Sequence, residues 1–418
     1  MSENEKLVPK RRFKAFENDV AWEQRELGEV VNLENGYAFK SDYFVEEETG
    51  IEVLTPGNVN IGGGFQADKG RNYSVKGPAP EKFVFKPNDV FVTMTDLTPS
   101  AQTLGYPALV PDDGKTYLHN QRLGKLTNFK GSSDFLIYLL CTDTYHNEII
   151  SSASGTTVKH SSPSKILKYS FMMPEYKEQE LIGKFFRNLD QTIAFQQRKL
   201  EKVKSMKSAY LSEMFPAEGE RKPKRRFPGF TDDWEQRELR EVADIIGGGT
   251  PSTSVKEFWD GSIDWYSPVE IGDKVFVNGS QKKITDLGFQ KSSAQMLPAG
   301  TVLFTSRAGI GNTAILEKEA CTNQGFQSIV PKENLDTYFI YSRSHELKRY
   351  GEITGAGSTF VEVSGKQMAK MPILIPDIEE QKEIGNFFKN LDQTIAFQQQ
   401  KLEKLQNIKK AYLNEMFI

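Results

Sequence analysis

The ten residues NLDQTIAFQQ occur twice in this chain, at Asn188–Gln197 and at Asn390–Gln399. Two further strings precede each copy in the same order: PKRRF at Pro9–Phe13 and Pro223–Phe227, and WEQREL at Trp22–Leu27 and Trp234–Leu239. Such a repeat predicts that the 418-residue chain consists of two tandem units, at 9–215 and 223–418. PAEGERKP, at 216–223, has the composition of an exposed linker.

The decapeptide lies within a helical pattern in both halves. Apolar residues recur at alternating steps of four and three, the spacing of a heptad seam. Each predicted helix has about 35 residues and a length of roughly 50 Å. We expect the two seams to pair, although two helices packed separately on their own domains are the alternative. The predicted seam contains Phe186, Leu189, Ile193, Gln196 and Leu200 in the first copy and Phe388, Leu391, Ile395, Gln398 and Leu402 in the second.

The segments between the repeated strings differ, and they predict two globular domains of mixed α/β (α+β) class. Candidate strands lie at 83–94 and 300–306, and candidate helices lie near Phe135–Ser151 and Thr337–Ile353. The predicted division is an N-terminal repeat segment (1–27), a first domain (28–174), a first long helix (175–215), a linker with the start of the second repeat (216–239), a second domain (240–376) and a second long helix (377–418).

Charge and cysteine content limit the class of protein. The formal net charge of -3 argues against a generally basic molecule, so a nucleic-acid surface must be local or completed by a partner. Cys141 and Cys321 are far apart, which argues against a disulfide framework and predicts a reducing, cytoplasmic location. The apolar runs are too short for a signal peptide or a membrane span, so we expect neither.

We find no pattern of catalytic or metal-binding residues. The chain lacks the Asp-Pro-Pro and Asn-Pro-Pro runs of amino-methyltransferases and the phosphate-binding G-x-x-x-x-G-K-[ST] loop. The four histidines form no H-x-x-x-H metal pair. Asp112–Lys115 and Gly247–Gly249 are better explained as a turn and a loop than as a nuclease cluster and a cofactor loop. The sequence therefore predicts no catalytic residues, no metal and no cofactor bound by this chain.

Several longer strings make the chain resemble the specificity subunits of type I restriction-modification systems. The resemblance extends over nearly the whole chain. It is carried by PEYKEQELIGKFF and PDIEEQKEIGNFF leading into LDQTI, by IGGGTPST, SSAQMLPAGTVLFTSRAGIG and TNQGF in the second domain, and less strongly by ENGYAFKSDYF, PNDVFVTM and HNQRLG in the first.

The resemblance implies a non-catalytic subunit with two target-recognition domains, each reading one half of a bipartite double-stranded DNA site. It further implies that the long helices pair as an antiparallel coiled coil, which gives the two units a pseudo-two-fold relation that matches the dyad of DNA. Two modification (methyltransferase) subunits would dock on the chain, and restriction (translocase/nuclease) subunits would complete the complex. S-adenosylmethionine, ATP and Mg are expected in those partner subunits, and no membrane is involved.

Polar residues just after strands or in turns are the expected DNA contacts, because Arg binds guanine, Asn and Gln bind adenine, and Ser and Thr bind phosphate or base. Matching the proline before each predicted strand places Thr95 and Asp96 opposite Ser306 and Arg307. The predicted contacts are Thr95, Asp96, Asn120, Gln121, Arg122, Thr157, Lys159 and His160 in the first domain and Ser306, Arg307, Asn323, Gln324, Ser358 and Thr359 in the second.

Several of these predictions have a structural alternative. Arg307 would otherwise form a surface ion pair, and Asn323 and Gln324 would be structural amides, since the Asn-Gln pair occurs in both domains. The Arg-Arg pairs at 11–12 and 225–226 reach DNA phosphate, bind a partner or stay solvated.

Two other classes of function stay open at this point: a coiled-coil adaptor that binds proteins, and a self-contained enzyme that reads and modifies DNA. The missing catalytic patterns count against the enzyme, and the family strings count against the adaptor. A buried Gln196–Gln398 layer near the pseudo-dyad is a further prediction, because polar residues in a seam can fix its register.

Overall fold

The fold is described by a computed structural model, which covers residues 8–272, 274–307, 309–355 and 362–418. The chain forms two compact units, and each contains residues from both repeats. Unit 1 comprises Met1–Gln196 with Lys401–Ile418, and unit 2 comprises Gln197–Gln400. The predicted division kept each long helix whole, whereas the structure divides each helix between the two units.

Unit 1 contains a four-stranded sheet ordered β2-β9-β5-β7, a three-stranded sheet ordered β4-β3-β8, and the two-stranded pairs β1-β11 and β6-β10. Its strands are β1 (Glu23–Glu26), β2 (Asn32–Asn35), β3 (Ile51–Val53), β4 (Arg71–Asn72), β5 (Val90–Thr93), β6 (Thr95–Asp96), β7 (Pro107–Leu109), β8 (Thr116–Leu118), β9 (Leu123–Thr127), β10 (Lys159–His160) and β11 (Ser170–Met173). The first five helices are α1 (Leu27–Val30), α2 (Ser133–Leu139), α3 (Asp143–Ser152), α4 (Pro163–Leu167) and the long helix α5 (Tyr176–Glu213), which continues into unit 2.

Unit 2 contains a five-stranded sheet ordered β13-β20-β17-β18-β15, a three-stranded sheet ordered β16-β14-β19, and the pair β12-β21. Its strands are β12 (Glu235–Glu238), β13 (Ala243–Gly247), β14 (Trp259–Tyr266), β15 (Phe276–Val277), β16 (Lys282–Ile284), β17 (Val302–Phe304), β18 (Thr313–Leu316), β19 (Cys321–Thr322), β20 (Gln327–Pro331) and β21 (Pro372–Ile375). The remaining helices are α6 (Leu239–Val242), α7 (Asp286–Gln290), α8 (Thr337–Ser342), α9 (Ser344–Gly355), α10 (Gly365–Ala369) and the long helix α11 (Ile378–Met416). The predicted mixed α/β (α+β) class is confirmed.

Three local predictions need correction. The candidate helix near Thr337–Ile353 is two helices, α8 and α9. The candidate strand at 83–94 reduces to β5, because Pro87 has no N–H to donate and Asn88 has a φ of 66°, so the chain turns before Val90. The candidate helix at Phe135–Ser151 is two helices, since Thr142 starts α3 as a cap whose hydroxyl accepts from the N–H of Tyr145.

Within each unit, the end of one long helix packs antiparallel to the start of the other. In unit 1 the rings of Phe185 and Tyr412 are 5.2 Å apart, and Lys409 forms an ion pair with Asp190 at 2.7 Å. Higher numbers in one helix therefore meet lower numbers in the other. Unit 2 repeats the arrangement, with Tyr210 beside Phe387 at 4.9 Å and Lys207 beside Asp392 at 2.5 Å. Pairing of the helices along their full length would involve both units, and it stays a prediction.

The aspartate of the decapeptide connects a domain to both helices. Asp190 accepts a hydrogen bond from the hydroxyl of Tyr138 in α2 at 2.8 Å as well as the ion pair from the other helix. Asp392 is bonded in the same way by Tyr338 in α8, also at 2.8 Å. Burial, together with the adjacent carboxylate, raises the pKa of Tyr138 and keeps its hydroxyl a donor.

The PKRRF segments fasten the ends of the long helices. Arg12 donates to both oxygens of Glu178 in the first turns of α5, at 2.8 and 2.7 Å. Arg11 reaches Glu415 in the last turn of α11 at 2.5 Å. Unit 2 contains the equivalent ion pairs, from Arg226 to Glu380 and from Arg225 to Glu213. These ion pairs favour a clamp between helix ends over the DNA-phosphate contacts that the sequence left open.

Several predicted seam residues are buried, including Phe186, Leu200, Phe388 and Leu402. Gln196 and Gln398 are also buried, with 3% and 5% of their surface exposed. Leu189, Ile193, Leu391 and Ile395 are half-buried. Gln196 belongs to unit 1 and Gln398 belongs to unit 2. The prediction that the two side chains lie close together therefore stays a prediction.

Candidate nucleic-acid interface

Most of the predicted contact residues of the first domain meet at the end of strand β5. We call this place strand-end site 1: Met94–Asp96 with the flanking segments Asn120–Arg122 and Lys159–Ser161. The N–H of Met94 donates to the carbonyl of Arg122 at 2.9 Å, and the N–H of Ser161 donates to the carbonyl of Met94 at 3.0 Å. Strand β6 pairs antiparallel with β10, so Asp96 lies opposite Lys159 and Thr95 opposite His160.

The second domain builds strand-end site 2 with the same backbone bonds. We define it as Ser306–Arg307 with the flanking segments Asn323–Gly325 and Glu362–Val363. The N–H of Ser306 donates to the carbonyl of Gly325 at 2.8 Å, and the N–H of Val363 donates to the carbonyl of Ser306 at 3.2 Å.

Because their backbone hydrogen bonds are equivalent, Met94 of the first domain corresponds to Ser306 of the second, and Thr95 therefore corresponds to Arg307. The predicted alignment, which placed Thr95 opposite Ser306, is wrong by one residue. The error arises because Pro298 precedes its strand by one residue more than Pro87 precedes β5.

Asn120 and Asn323 shape the same turn in both domains. The Oδ1 of Asn120 accepts from the N–H of Arg122 at 2.9 Å, and the Oδ1 of Asn323 accepts from the N–H of Gly325 at 2.8 Å. A glycine touches the backbone of each turn: a Cβ at Gly36 or Gly248 would lie 2.1 Å from the Asn carbonyl oxygen. This geometry gives the asparagines a structural role, which was the alternative that the sequence allowed.

The side chains at equivalent positions of the two sites differ. In site 1, Thr95 and His160 are hydrogen-bonded at 3.0 Å between Oγ1 and Nδ1. In site 2, Arg307 forms an ion pair with Glu362 at 2.7 Å, with 46% and 37% of the two side chains exposed. An exposed pair of this kind contributes only about 0.2–1 kcal/mol, so Arg307 can exchange Glu362 for a nucleic-acid group at small cost.

The remaining predicted residues are distributed around the two sites. Gln121, Arg122, Thr157 and His160 are exposed, as is Gln324, whose side-chain oxygen accepts a hydrogen bond from Thr250. Lys159 is half-buried, whereas Thr95 and Ser306 are buried. The Oγ of Ser306 has no hydrogen-bond partner within the described part of the chain. Ser358 and Thr359 lie outside the described residues.

Asp96 holds the loop that follows site 1. One carboxylate oxygen accepts from the N–H and the hydroxyl of Thr98, at 2.7 and 2.6 Å. The other oxygen accepts from the N–H and the hydroxyl of Thr103, both at 2.7 Å. Burial alone would raise the pKa of Asp96, but these four hydrogen bonds bring the pKa below its ordinary value. The bonds account for the burial of Asp96 without any DNA contact.

We expect Asp96→Asn to lower the apparent free energy of unfolding by about 2 kcal/mol at pH 7, because an amide NH2 would face a donor of Thr103 or Thr98. The folded-state pKa is depressed, so the carboxylate stabilises the fold above about pH 4 and loses this effect as pH falls through the folded pKa. Urea titrations followed by circular dichroism at about pH 7, 4 and 3 measure the difference between the variant and the wild-type chain, and the lowest pH reaches the range in which the carboxylate becomes protonated. Asp112→Asn, at an exposed position, is the matched control. Equal stability of the two variants at pH 7 contradicts the prediction.

The sequence analysis gave no role at the site to Met94, Glu362 or Gly36, and it interpreted Gly248 only as part of the loop Gly247–Gly249. A usable signal was present, because each domain has a serine that caps the next helix, at Ser162 for α4 and at Ser364 for α10. Aligning these caps pairs His160 with Glu362.

No group of three or more His, Cys, Asp or Glu side chains in the described ranges is arranged to hold a metal ion. Among the same residues, every helix is too short or too polar to cross a membrane.

The model of the family described as "Type I restriction modification DNA specificity domain" matches residues 19–205 and again residues 231–407. These two matches cover most of the chain, and each contains one domain with its strand-end site and much of the following helix. The chain belongs to this family. The tandem organisation, of which the repeated decapeptide is one sign, is therefore the duplication of one family domain.

The relatives of this specificity-domain family include curated proteins and solved structures. A type I restriction enzyme specificity subunit of Methanocaldococcus jannaschii, MjaIX, is 31% identical over 190 residues; the match spans 44% of each chain, less than half of that relative. The putative MjaX specificity subunit of the same organism is 23% identical over 94% of this chain and 92% of its own. The S subunit of M. genitalium has a TM-score of 0.62 at 16% identity and covers 98% of this chain and 99% of its own, which supports the fold.

Proposed function

We propose that this chain is the DNA specificity subunit of a type I restriction-modification complex. Each domain reads one half of a bipartite double-stranded DNA site through its strand-end site, and the long helices serve as spacer and docking scaffold. The chain itself contributes no catalytic group. The modification subunits supply S-adenosylmethionine and adenine methylation, and the restriction subunits supply ATP- and Mg-dependent translocation and cleavage.

One observation carries the proposal: the two strand-end sites share a backbone and differ in their side chains. Equivalent hydrogen bonds at Met94 and Ser306 fix the same framework in both domains. At the next position, Thr95 is paired with His160 in one domain, and Arg307 is paired with Glu362 in the other. A constant framework with variable polar groups is what two readers of different base sequences require.

The charges near site 1 support contact with phosphate. Arg122 and Lys159 carry positive charge on opposite sides of Met94–Asp96, and neither has an ion-pair partner among the described residues. Cations without an ion-pair partner attract phosphate and release counterions from DNA. This local basic character agrees with a chain whose net charge is -3.

Exchange of one domain is the direct test. We expect replacement of residues 240–376 by the corresponding segment of a relative to change one half of the methylated DNA motif and to leave the other half unchanged. The reason is that the unaltered segment 28–174 keeps its own strand-end site. Methylome sequencing of a host that carries the gene with its modification and restriction partners gives the readout.

The unexchanged chain in the same host is the control, and it should give a bipartite motif with two fixed halves. A change in both halves after the exchange contradicts modular reading. A wild-type host without any bipartite methylated motif contradicts the proposed function itself.

A further inference from the structure

Strand-end site 1 is bordered by an exposed apolar side chain, that of Leu97. This residue follows Asp96 directly in the chain, and 58% of its surface is exposed. The residues on both sides of it are fixed, because the buried Asp96 carboxylate accepts from the N–H and the hydroxyl of Thr98. The backbone of Leu97 is therefore ordered before any ligand arrives, which lowers the entropic cost of a contact there.

Strand-end site 2 is also bordered by an exposed apolar side chain, but from a different segment. Val269 lies in the short helical turn Pro268–Glu270 that follows β14, and 88% of its surface is exposed. This turn touches the site, since a Cβ added to Gly325 would lie 2.8 Å from the Cγ of Pro268. The N–H of Asn323 also donates to the carbonyl of Tyr266 at 3.0 Å, just before the turn.

Hydrogen bonds of Glu270 fix the turn that carries Val269. One oxygen of this carboxylate accepts from the N–H and the hydroxyl of Ser267, at 2.8 and 2.9 Å. The other oxygen accepts from the N–H of Gln281 at 2.7 Å. Val269 is thus presented on an ordered backbone, as Leu97 is in the first domain.

Neither apolar side chain has a counterpart in the other domain. The first domain has the same capped turn after β3, and Gly57 stands there in the place of Val269. The loop that carries Leu97 spans 94–104, whereas the corresponding loop of the second domain is only 306–310 and exposes no apolar side chain among its described residues. The apolar group therefore stands at a different place in each domain, as expected for groups that read different sequences.

The neighbours of the two side chains define what they contact, because single exposed apolar residues are common on protein surfaces. Each lies beside polar groups that suit base edges, such as Thr95 in one site and Arg307 in the other. In the major groove, the only apolar group on a base edge is the 5-methyl group of thymine, next to the O4 acceptor. An apolar wedge between base steps of the minor groove is the other use of such a side chain. A fixed position beside hydrogen-bonding groups favours the methyl contact.

We infer that Leu97 and Val269 are specificity-determining residues, each in van der Waals contact with the 5-methyl group of a thymine in the half-site that its domain reads. The inference rests on the proposed function and adds to it two residues and the base feature that they recognise. Loss of one methyl group from such a contact weakens binding by about 4-fold. Cytosine, which lacks the methyl group, is disfavoured at the same position.

The test uses the full chain with its modification partner and synthetic duplexes that carry the split motif found by methylome sequencing. Each thymine of the motif is replaced in turn by deoxyuridine, which removes the 5-methyl group and keeps every hydrogen-bonding group of the base. Fluorescence anisotropy titrations measure the Kd. For the wild-type chain, we expect one thymine in each half-site at which the replacement weakens binding by about 4-fold.

Leu97→Ala should abolish the deoxyuridine effect in one half-site and keep it in the other, and Val269→Ala should do the reverse. This readout separates a methyl contact from general damage, since a damaged fold weakens binding of the thymine and deoxyuridine duplexes alike. Val75→Ala and Leu287→Ala are the matched controls, because they shorten exposed apolar side chains that belong to neither strand-end site. Both controls should retain the deoxyuridine effect in both half-sites.

Three results overturn the inference and leave DNA reading intact. The first is wild-type binding that no deoxyuridine in a half-site weakens, or a half-site without an A·T pair. The second is a deoxyuridine effect of equal size in the wild-type chain and in Leu97→Ala or Val269→Ala, which assigns the methyl group to other residues. The third is a variant that loses DNA bending and keeps the deoxyuridine effect, which identifies a wedge. A wild-type complex that binds the motif no better than a random duplex contradicts the proposed function itself.

Discussion

Glu178→Gln is expected to lower the apparent free energy of unfolding by about 3 kcal/mol, because it removes one member of a buried ion pair. The Glu178 side chain is 1% exposed and that of Arg12 is 6% exposed, so the guanidinium would stay in the protein without its counter-charge. Glu178 also accepts from the indole N–H of Trp22 at 3.2 Å. One substitution therefore disturbs the clamp, the start of α5 and a core tryptophan together.

The same segment provides the control for this measurement. Arg11 forms an ion pair with Glu415, but their side chains are 54% and 37% exposed, so water replaces the lost partner in Glu415→Gln. We expect little change in stability for that variant. Urea titrations of both variants, followed by circular dichroism, separate the two cases. Equal losses would mean that burial of the Arg12 ion pair does not govern its contribution.

Insertion of one heptad after Leu200 and another after Leu402 is expected to lengthen the spacer between the half-sites by about 3 base pairs. Seven helical residues add about 10 Å, and each base pair of DNA rises about 3.4 Å. Seven is the period of the predicted seam, so the insertion keeps the apolar positions in phase. Methylome sequencing should report the longer spacer with both half-sites unaltered.

A heptad inserted in only one helix is the control for this second experiment. It leaves seven residues without a counterpart, and we expect the specific methylated motif to be lost. An unchanged spacer after the double insertion would refute the role of the helices as a ruler. A changed half-site would mean that the scaffold also shapes the strand-end sites.

The scaffold was largely predictable because its signals are local. Alternating steps of four and three along one chain segment predict a helix, and an identical pattern in both halves predicts two. Tyr138 and Lys409 could not be assigned to Asp190 in advance, since they come from a separate domain and from the other helix. Sequence periodicity carries no information about such distant partners.

The candidate interface was harder to predict, because an alignment error of one residue changes which side chains of the two domains are matched. A single extra residue between Pro298 and its strand shifted the alignment, and Thr95 was matched with Ser306 instead of Arg307. Asp96 was predicted to contact DNA from its place after a strand, yet its oxygens are occupied by Thr98 and Thr103. Polar residues that build a loop and polar residues that read a ligand look alike in a sequence.

The boundary between the compact units has a consequence for how such proteins can be recombined. Unit 2 begins at Gln197, the last residue of the first decapeptide copy, and ends at Gln400, one residue after the end of the second copy. A genetic crossover between identical stretches would therefore join the two parents where one unit gives way to the next. The incoming segment would bring its own core, clamp and strand-end site intact. A junction in the linker at 216–223 would instead separate Phe215 from Phe388 and Trp234, the aromatic neighbours with which it packs.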